Sequence, residues 1–339
     1  MVQKGDKAFH GTEVSAPSDW CNPSCHTGAP GVARRLDPRQ FICMIDKLEM
    51  FIALASERHF GRAAEVCRVT QPTLSSAIRQ LEDHLGVQLV FRGSRFQGLT
   101  PEGQRVLDWA RRIVGDVRAL KDEMRTVHTG LSGNLRIGVI PTALAMVADL
   151  TAPFTARHPN VRVSVLSRTS SEILEGIESL GLDAGITYLD NEPLGRVSQT
   201  PLFTEFYRYL CTGASPLAVR KTVTWAEVAQ EPLCLLTADM QNRRIVNQHL
   251  REAGATVTAM IESNSTIALI SHVKSGSWSS VVPMKLAEMF LGQNLIAIPI
   301  VEPEAEHLVG LITPKRDPQT PVLQALIDEA IRLGMWRDR

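Results

Sequence analysis

The segment from Gln71 to Arg79 carries side chains that can hydrogen-bond DNA. Its polar positions are short donors and acceptors followed by one long cation, namely Gln71, Thr73, Ser75, Ser76 and Arg79. Such side chains contact base edges and phosphates in a major groove. An ordinary amphipathic helix with a solvated polar face is the competing interpretation, and these residues alone leave both open.

The residues around this segment predict two short helices joined by a tight turn. Leu74, Ile78, Leu81 and Leu85 recur at helical spacing and predict a buried stripe. Thr70 is suited to cap the helix, and Pro72 falls in the first turn, where a missing N–H costs nothing. The preceding residues 60–69 contain the small pair Ala63 and Ala64, which favours close packing. The pattern is typical of a helix-turn-helix.

A small hairpin is expected directly after this unit. Residues 87–91 and Leu99 are extended pieces around a Gly/Ser turn that carries Arg92 and Arg95. These arginines are placed to reach a phosphate backbone or the minor groove, as in the wing of a winged helix-turn-helix. An arginine-bearing surface hairpin is the alternative.

The next predicted helix carries a seam for self-association. It begins at Thr100 and Pro101, and its apolar residues recur at alternating steps of four and three: Val106, Ala110, Ile113, Val117, Leu120 and Met124. Such a seam favours a second copy of the same helix, so we expect a homodimer. Packing against the chain's own C-terminal part is the alternative.

From residue 131 the pattern changes to alternating strands and helices. First-lobe strands are expected at 135–140, 161–166 and 184–188, with a helix from Thr142 to about Arg157 after the first strand. Residues 207–212 cross into a second lobe at about 211–282, where a further strand is expected at 257–262. Strands at 295–300 and 308–313 and a last helix at 319–333 are expected to return to the first lobe. This alternation predicts parallel sheets covered on both faces, with a ligand cleft between two α/β lobes.

Polar residues follow the predicted strands and are candidates for binding a small effector. They are Thr142, Thr169, Ser170, Thr187, Thr237, Asn242, Arg243, Asn264 and Ser265. Hydroxyl and amide side chains beside helix N-termini suit an anion, and Arg243 would supply a cation. The alternative for each residue is a simple helix cap.

Composition limits the remaining possibilities. The 339 residues have zero formal net charge, so affinity for nucleic acid requires a local patch, such as the arginines around residues 58–95. Six scattered cysteines and no long apolar stretch indicate a cytoplasmic protein without a membrane partner. Residues 1–43 lack periodicity and are predicted to form a disordered extension. Cys21, Cys25 and His26 are only a weak metal signal, and no metal site is predicted.

The sequence shows no motif of an enzyme active site. The sequence has no phosphate loop, no paired cysteine motif and no nucleophile elbow, and its nine histidines are dispersed. Cys67 fits a small core residue better than a nucleophile. A non-enzymatic protein with no cofactor is therefore expected, either a DNA-binding regulator or, as the alternative, a small-solute-binding protein.

The chain from Met44 onward resembles the LysR-type transcriptional regulators of bacteria. The resemblance is carried by the segments 60–64, 70–75, 78–82, 85–87 and 99–103. It implies an all-α winged helix-turn-helix at 44–102, a linker and dimerisation helix at 103–130, and a two-lobed α/β effector domain at 131–339 like a periplasmic binding protein. Gln71, Pro72, Thr73, Ser75, Ser76 and Arg79 would fall on the recognition helix and Arg92 and Arg95 on the wing.

The resemblance also implies partners. Members bind double-stranded DNA as dimers or dimers of dimers and respond to a small metabolite, often as activators, which makes RNA polymerase a further candidate partner. Thr142 falls on the family's effector-contacting loop. In the wing, members of the family usually carry a buried Phe followed by an acid, whereas this chain has Val90 and Phe91 at those positions. Gly98, Leu99 and Thr100 are similar to the sulfur-assimilation branch, and the chain also resembles regulators of formate dehydrogenase operons.

Overall fold

The structure, a computed structural model, describes residues 38–333 apart from 92, 94 and 293. From Ile42 onward the described residues form one compact unit. Nearly all of the predicted extension at 1–43 lies outside the described residues. Helix α1 begins at Pro38, earlier than the periodic pattern indicates.

Four helices build the N-terminal part of the unit: α1 (Pro38–Glu57), α2 (Phe60–Val66), α3 (Gln71–Leu85) and α4 (Pro101–Thr129). Helices α2 and α3 form the predicted helix-turn-helix. Their core consists of side chains that are at most 4% exposed, among them Phe51, Leu54, Ala63, Ala64, Leu74, Ile78 and Leu81. The predicted close packing of Ala63 and Ala64 is thus confirmed.

Two apolar residues of this region lie outside the core. Leu85, predicted to be buried, is 37% exposed because it ends α3 beside the C-capping Gly86. Val66 is 61% exposed at the end of α2, whereas Ala63 and Ala64 are buried and Phe60 packs against the core.

The predicted hairpin is present in a minimal form. Its two arms form a single antiparallel bridge, Val90 with Leu99. Two backbone bonds close it, from Phe91 N to Gly98 O at 3.1 Å and from Thr100 N to Leu89 O at 3.0 Å. Val90 is half-buried and Phe91 is 50% exposed, so this wing packs through Val90 and Leu89 rather than through Phe91.

The described residues of the C-terminal part form ten strands: β1 (Gly133–Val139), β2 (Val161–Ser167), β3 (Ala184–Tyr188), β4 (Val197–Thr212), β5 (Val223–Thr224), β6 (Cys234–Leu236), β7 (Ile261–Ser263), β8 (Ser280–Pro283), β9 (Leu295–Val301) and β10 (Glu306–Pro314). The first lobe has the order β2-β1-β3-β10-β4. Strands β1, β2 and β3 are parallel, whereas β10 runs antiparallel to β3 and β4. The sheet is therefore mixed, not wholly parallel as expected.

Strand β4 connects the two lobes. Its first part pairs with β10, and its last part, Arg208–Thr212, pairs with β9 and in part with β8. Strand β9 also lies beside β5. The expectation that residues 295–300 return to the first lobe is therefore wrong, because their partner is the second-lobe end of β4. Strand β10 does return.

Seven helices cover these strands: α5 (Val147–Arg157), α6 (Ser170–Glu178), α7 (Trp225–Val228), α8 (Gln241–Glu252), α9 (Thr266–Lys274), α10 (Met284–Glu288) and α11 (Pro321–Arg332). The helix predicted to start at Thr142 begins only at Val147, because Pro141–Ala143 form a short 3-10 turn. The strand predicted at 257–262 is reduced to Ile261–Ser263, which matches the three residues of its partner β6.

Candidate DNA interface and effector pocket

Helix α3 displays the side chains predicted to contact DNA. Gln71, Pro72, Thr73, Ser76 and Arg79 are exposed, and Ser75 is half-buried. Leu74, Ala77, Ile78 and Leu81 face the opposite way, into the core. The amphipathic pattern therefore leaves one continuous polar face, with the chemistry that base edges and phosphates require.

Side-chain caps fix the start of both helices. The Thr70 hydroxyl accepts from Thr73 N at 3.4 Å and lies 2.9 Å from the Thr73 hydroxyl. In α2 the imidazole Nδ1 of His59 accepts from Gly61 N at 3.1 Å and Arg62 N at 3.3 Å. The turn between the helices passes through Arg68 at a positive φ of 55°. Thr70 was foreseeable from its type, whereas histidine is an uncommon cap.

Glu82 ties the recognition helix to the wing. Its Oε1 accepts from Leu89 N at 2.8 Å and from Val90 N at 3.2 Å. A carboxylate that receives two backbone N–H groups holds the wing strand at a fixed angle to α3. Arg95 on the wing is exposed, while Arg92 lies outside the described residues. Sequence patterning did not single out Glu82.

Helix α4 divides the predicted dimer seam between two environments. Ala110 is fully buried in the chain's own core together with Leu107 and Val114, so it is unavailable to a second copy. Ile113, Leu120 and Met124 are 36%, 57% and 49% exposed, and Val106 and Val117 are intermediate. Trp109, which is not among the predicted seam residues, is 62% exposed. We name Trp109, Ile113, Leu120 and Met124 the α4 stripe.

Four of the predicted effector residues meet at a narrow pocket between the lobes. Thr142, Thr169 and Ser170 line it from the first lobe, and Asn242 lines it from the second, with the free space corresponding to about one water molecule. Tyr188 and Gln241 also line it. Thr187 lies behind this lining, where its hydroxyl donates to Ser170 Oγ at 3.0 Å.

The other predicted effector residues do not line this pocket. Arg243 is 6% exposed and directed elsewhere, because it pairs with Glu262 Oε1 at 2.7 Å and donates to the Leu236 carbonyl. Ser265 caps α9, as the simpler alternative had it. Thr237 and Asn264 are likewise absent from the lining. Arg243, the cation expected to bind an anionic effector, therefore forms an ion pair with Glu262 instead.

A buried polar network lies beneath the pocket and was missed by sequence reasoning. The Tyr188 hydroxyl donates to Glu205 Oε1 and lies 3.2 Å from Thr142 Oγ1 and 3.4 Å from the Tyr207 hydroxyl. Asn242 Nδ2 donates to the Tyr188 hydroxyl at 3.1 Å. Burial raises the pKa of Glu205 to about 7, partly offset by these hydrogen bonds, and Glu205 Oε2 has no hydrogen-bond partner.

Two histidines adjoin the same network. His249 Nε2 and His307 Nε2 are 3.3 Å apart, and His307 Nδ1 is 3.2 Å from Asp190 Oδ2. Burial, and then the neighbouring His307, lower the pKa of His249, which disfavours a positive charge on its ring. Trp225 stacks on His249 with ring centroids 4.9 Å apart.

Within residues 38–333 as described, no group of three or more His, Cys, Asp or Glu is arranged to hold a metal ion. Cys21, Cys25 and His26 lie outside that part. Burial raises the pKa of Cys211 and of Cys234 to about 11, and burial and then Glu49 raise the pKa of Cys67. No helix in the described part has the length and apolarity to cross a membrane.

Two family models match the chain along most of its length. Residues 45–104 match the bacterial regulatory helix-turn-helix of the lysR family, and residues 128–333 match the LysR substrate binding domain. The chain is 31% identical over 293 residues to the DNA-binding transcriptional dual regulator OxyR of Escherichia coli K12, covering 86% of this chain and 95% of that protein. It is 25% identical over 295 residues to the uncharacterised regulator YbhD of the same strain, covering 87% and 92%.

Solved structures share the fold. A full-length OxyR variant from Pseudomonas aeruginosa superposes with a TM-score of 0.65 at 24% identity, covering 84% of this chain and 97% of that one. Full-length CbnR in complex with its target DNA superposes with a TM-score of 0.54 at 22% identity, covering 85% and 99%. The predicted combination of an N-terminal helix-turn-helix and a periplasmic-binding-like α/β domain is confirmed.

Proposed function

Since the chain belongs to the LysR family of DNA-binding transcriptional regulators with an effector-binding domain, we propose that it reads an interrupted inverted repeat with helix α3 and responds to a small molecule between its lobes. The observation that carries this proposal is the polar face of α3, most of which is exposed, beside a wing that Glu82 holds in place. It acts by binding and not by catalysis, in the cytoplasm where chromosomal DNA lies.

Self-association of the chain supplies the two copies of α3 that an inverted repeat requires. The α4 stripe supports this part of the proposal, because a contiguous line of exposed apolar side chains on a long helix favours a helical partner. We propose a homodimer or a dimer of dimers. Activation through contact with RNA polymerase agrees with relatives named hydrogen peroxide-inducible genes activators.

DNA footprinting on the region upstream of the protein's own gene tests the proposal. We expect two protected half-sites whose centres are separated by whole helical turns, about 10 base pairs or a multiple. Protection should survive competitor DNA of random sequence. If no site is protected at a salt concentration low enough to permit phosphate contacts, sequence-specific binding is excluded.

Thr142→Val tests the pocket separately from DNA binding. The valine keeps the shape of the side chain and removes the hydroxyl that bonds to Tyr188. We expect loss of the response to the effector while the footprint is retained. Unchanged induction in a reporter assay would exclude a role for Thr142.

Peroxide sensing by thiols is poorly supported by the cysteines that the structure describes. Peroxide reacts with thiolates, and a raised pKa keeps a thiol protonated. Cys211 and Cys234 are fully buried with a pKa of about 11, and the pKa of Cys67 is also raised. We therefore propose an effector that binds reversibly between the lobes.

A further inference from the structure

Two helix N-termini flank the pocket between the lobes and supply hydrogen-bond donors. Helix α6 begins at Ser170 and α8 begins at Gln241, and both residues line the pocket. The first N–H groups of a helix lack partners within the helix. No side chain caps α8. Thr169 and Glu172 form a capping box at the start of α6. The uncapped N–H groups of α8 and the positive ends of the two helices favour one negative group of a ligand.

Gln241 adds an acceptor to the same pocket. Its side chain is 2% exposed, and its Nε2 donates to the Asp190 carbonyl at 3.3 Å. The amide oxygen Oε1 is buried without a hydrogen-bond partner. An unsatisfied buried acceptor is costly, so a ligand that donates a hydrogen bond here gains affinity.

Thr142 is a second acceptor, because the network beneath it is oriented by Glu205. Tyr188 donates its only hydroxyl proton to Glu205. The Tyr188 oxygen then accepts from the two nearest of its other neighbours, Asn242 Nδ2 at 3.1 Å and Thr142 Oγ1 at 3.2 Å, while the Tyr207 hydroxyl is farther away at 3.4 Å. With its proton committed to Tyr188, Thr142 presents lone pairs to the pocket. The network around Glu205 thus leaves Thr142 Oγ1 as an acceptor towards the pocket.

Among the residues that the structure describes, the lining of the pocket has no basic side chain to hold a second negative charge. Arg243 is paired with Glu262. The hydroxyl of Tyr188 lies between Thr142 and the carboxyl group of Glu205. The negative charge of this carboxyl group near the pocket further disfavours a multiply charged anion.

We propose that the effector is a small zwitterion of the amino-acid class. Its carboxylate is held by the N-termini of α6 and α8, and its ammonium group donates to Gln241 Oε1 and Thr142 Oγ1. The inference rests on the proposed function, in that it takes this pocket as the effector site. It replaces the anionic effector that was expected with Arg243 as its cation. The near-closed pocket requires the lobes to separate for entry and favours a small side chain on the ligand.

Isothermal titration calorimetry of the full chain with each of the twenty L-amino acids tests the ligand class. For the tightest binder, the matching carboxylic acid without the amine and the matching amine without the carboxylate are then titrated. We expect both to bind at least tenfold more weakly. If no amino acid binds at millimolar concentration, or if the acid without the amine binds equally well, the proposal is overturned.

Gln241→Met tests the acceptor, with Gln248→Met as the matched control. Gln248 is an exposed glutamine on the same helix, bonded to Glu252. We expect Gln241→Met to weaken the amino acid at least tenfold and to leave the acid without the amine unchanged, while Gln248→Met resembles the wild type. Thermal unfolding without ligand checks that both variants fold. An equal loss for both ligands would show that Gln241 only supports the pocket, which contradicts the proposal.

The proposed function and the ligand class fail independently. A chain that retains its footprint but binds no amino acid keeps its role as a DNA-binding regulator and loses only the ligand class. A chain that binds an amino acid but protects no DNA site loses the proposed function instead.

Discussion

Glu205 brings a carboxyl group into the fold at 3% exposure, where burial raises its pKa to about 7. Between pH 4.5 and about pH 7, Glu205 is protonated to a greater extent in the folded chain than in the unfolded chain. The free energy of unfolding that depends on Glu205 therefore falls as pH rises through this window and is constant above it.

Glu205→Gln removes this pH dependence. The shift from 4.5 to about 7 corresponds to about 3 kcal/mol between low and high pH. We expect the stability of the variant relative to the wild type to increase by up to that amount from pH 4 to pH 8. Urea unfolding at each pH measures the difference, and a constant difference would show that the folded and unfolded pKa values are equal.

Ligand binding should release protons through the same residue. An ammonium group at Thr142 favours the ionised carboxylate and lowers the pKa of Glu205, so protons leave as the ligand binds near pH 7. Titration in buffers of different ionisation enthalpy measures this release. Glu205→Gln should show none, and equal release from both proteins would assign the proton to another group.

Substitutions in α3 and substitutions in the wing should have different effects on DNA binding. We expect Thr73→Ala or Ser75→Ala to lower affinity for the selected site roughly tenfold with little effect on random DNA. Arg95→Ala should weaken both about equally and reduce the salt dependence by about one phosphate contact. We expect the same of Arg92→Ala. Gel shifts at several salt concentrations distinguish the α3 substitutions from the wing substitutions. If both groups weakened binding to selected and random DNA alike, the division between base and phosphate contacts would be refuted.

At the scale of elements, the start of α4 depends on Gly103. A Cβ atom at this position would lie 2.0 Å from the Leu89 carbonyl oxygen, so the helix and the wing strand would have to separate. We expect Gly103→Ala to lower the free energy of unfolding by about 2 kcal/mol. Gly213→Ala, with nothing within 4 Å of its Cβ, is the control and should change stability by less than about 0.5 kcal/mol. Similar curves for both would contradict this contact.

The α4 stripe makes a prediction about assembly. Leu120→Glu places a charge in the middle of the stripe, and we expect it to convert the proposed dimer to monomer at micromolar concentration. Val219→Glu, at an apolar residue 89% exposed outside α4, should leave assembly unchanged. Sedimentation velocity measures both, and a Leu120→Glu protein that remains dimeric would exclude the stripe as the interface.

Elements with local patterns were predictable, whereas the pocket was not. The caps and apolar spacing of α3 are read from adjacent residues, so Thr70 and Leu74 were assigned correctly. Tyr188, Glu205 and Tyr207 meet only because β3, β10 and β4 pair in one register. The pocket face of α8 also depends on rotation about its axis, since consecutive helical residues differ by about 100°. Gln241 and Asn242 consequently face the pocket, and Arg243 faces Glu262.

At the scale of the molecule, α4 joins the DNA-reading part to the first lobe. Arg118 on α4 bonds Glu49 Oε1 at 2.9 Å and the Leu180 carbonyl at 3.2 Å, and Arg111 pairs with Glu178 at 3.3 Å. The Arg316 guanidinium packs against Gly115, where a Cβ would lie 1.8 Å from it. These contacts fix α4 to α1 and to the first lobe. The pathway that the protein controls stays a prediction.

Competition binding measures the central claim most directly. A DNA fragment selected from a random pool by the full chain is compared with a fragment of scrambled sequence at the same salt concentration. We predict an inverted repeat in the selected pool and affinity for it at least a thousandfold above that for scrambled DNA. Ser75→Ala should reduce that ratio. A pool without an enriched sequence, or equal affinity for both fragments, would contradict the assignment of helix α3 as a reader of DNA sequence.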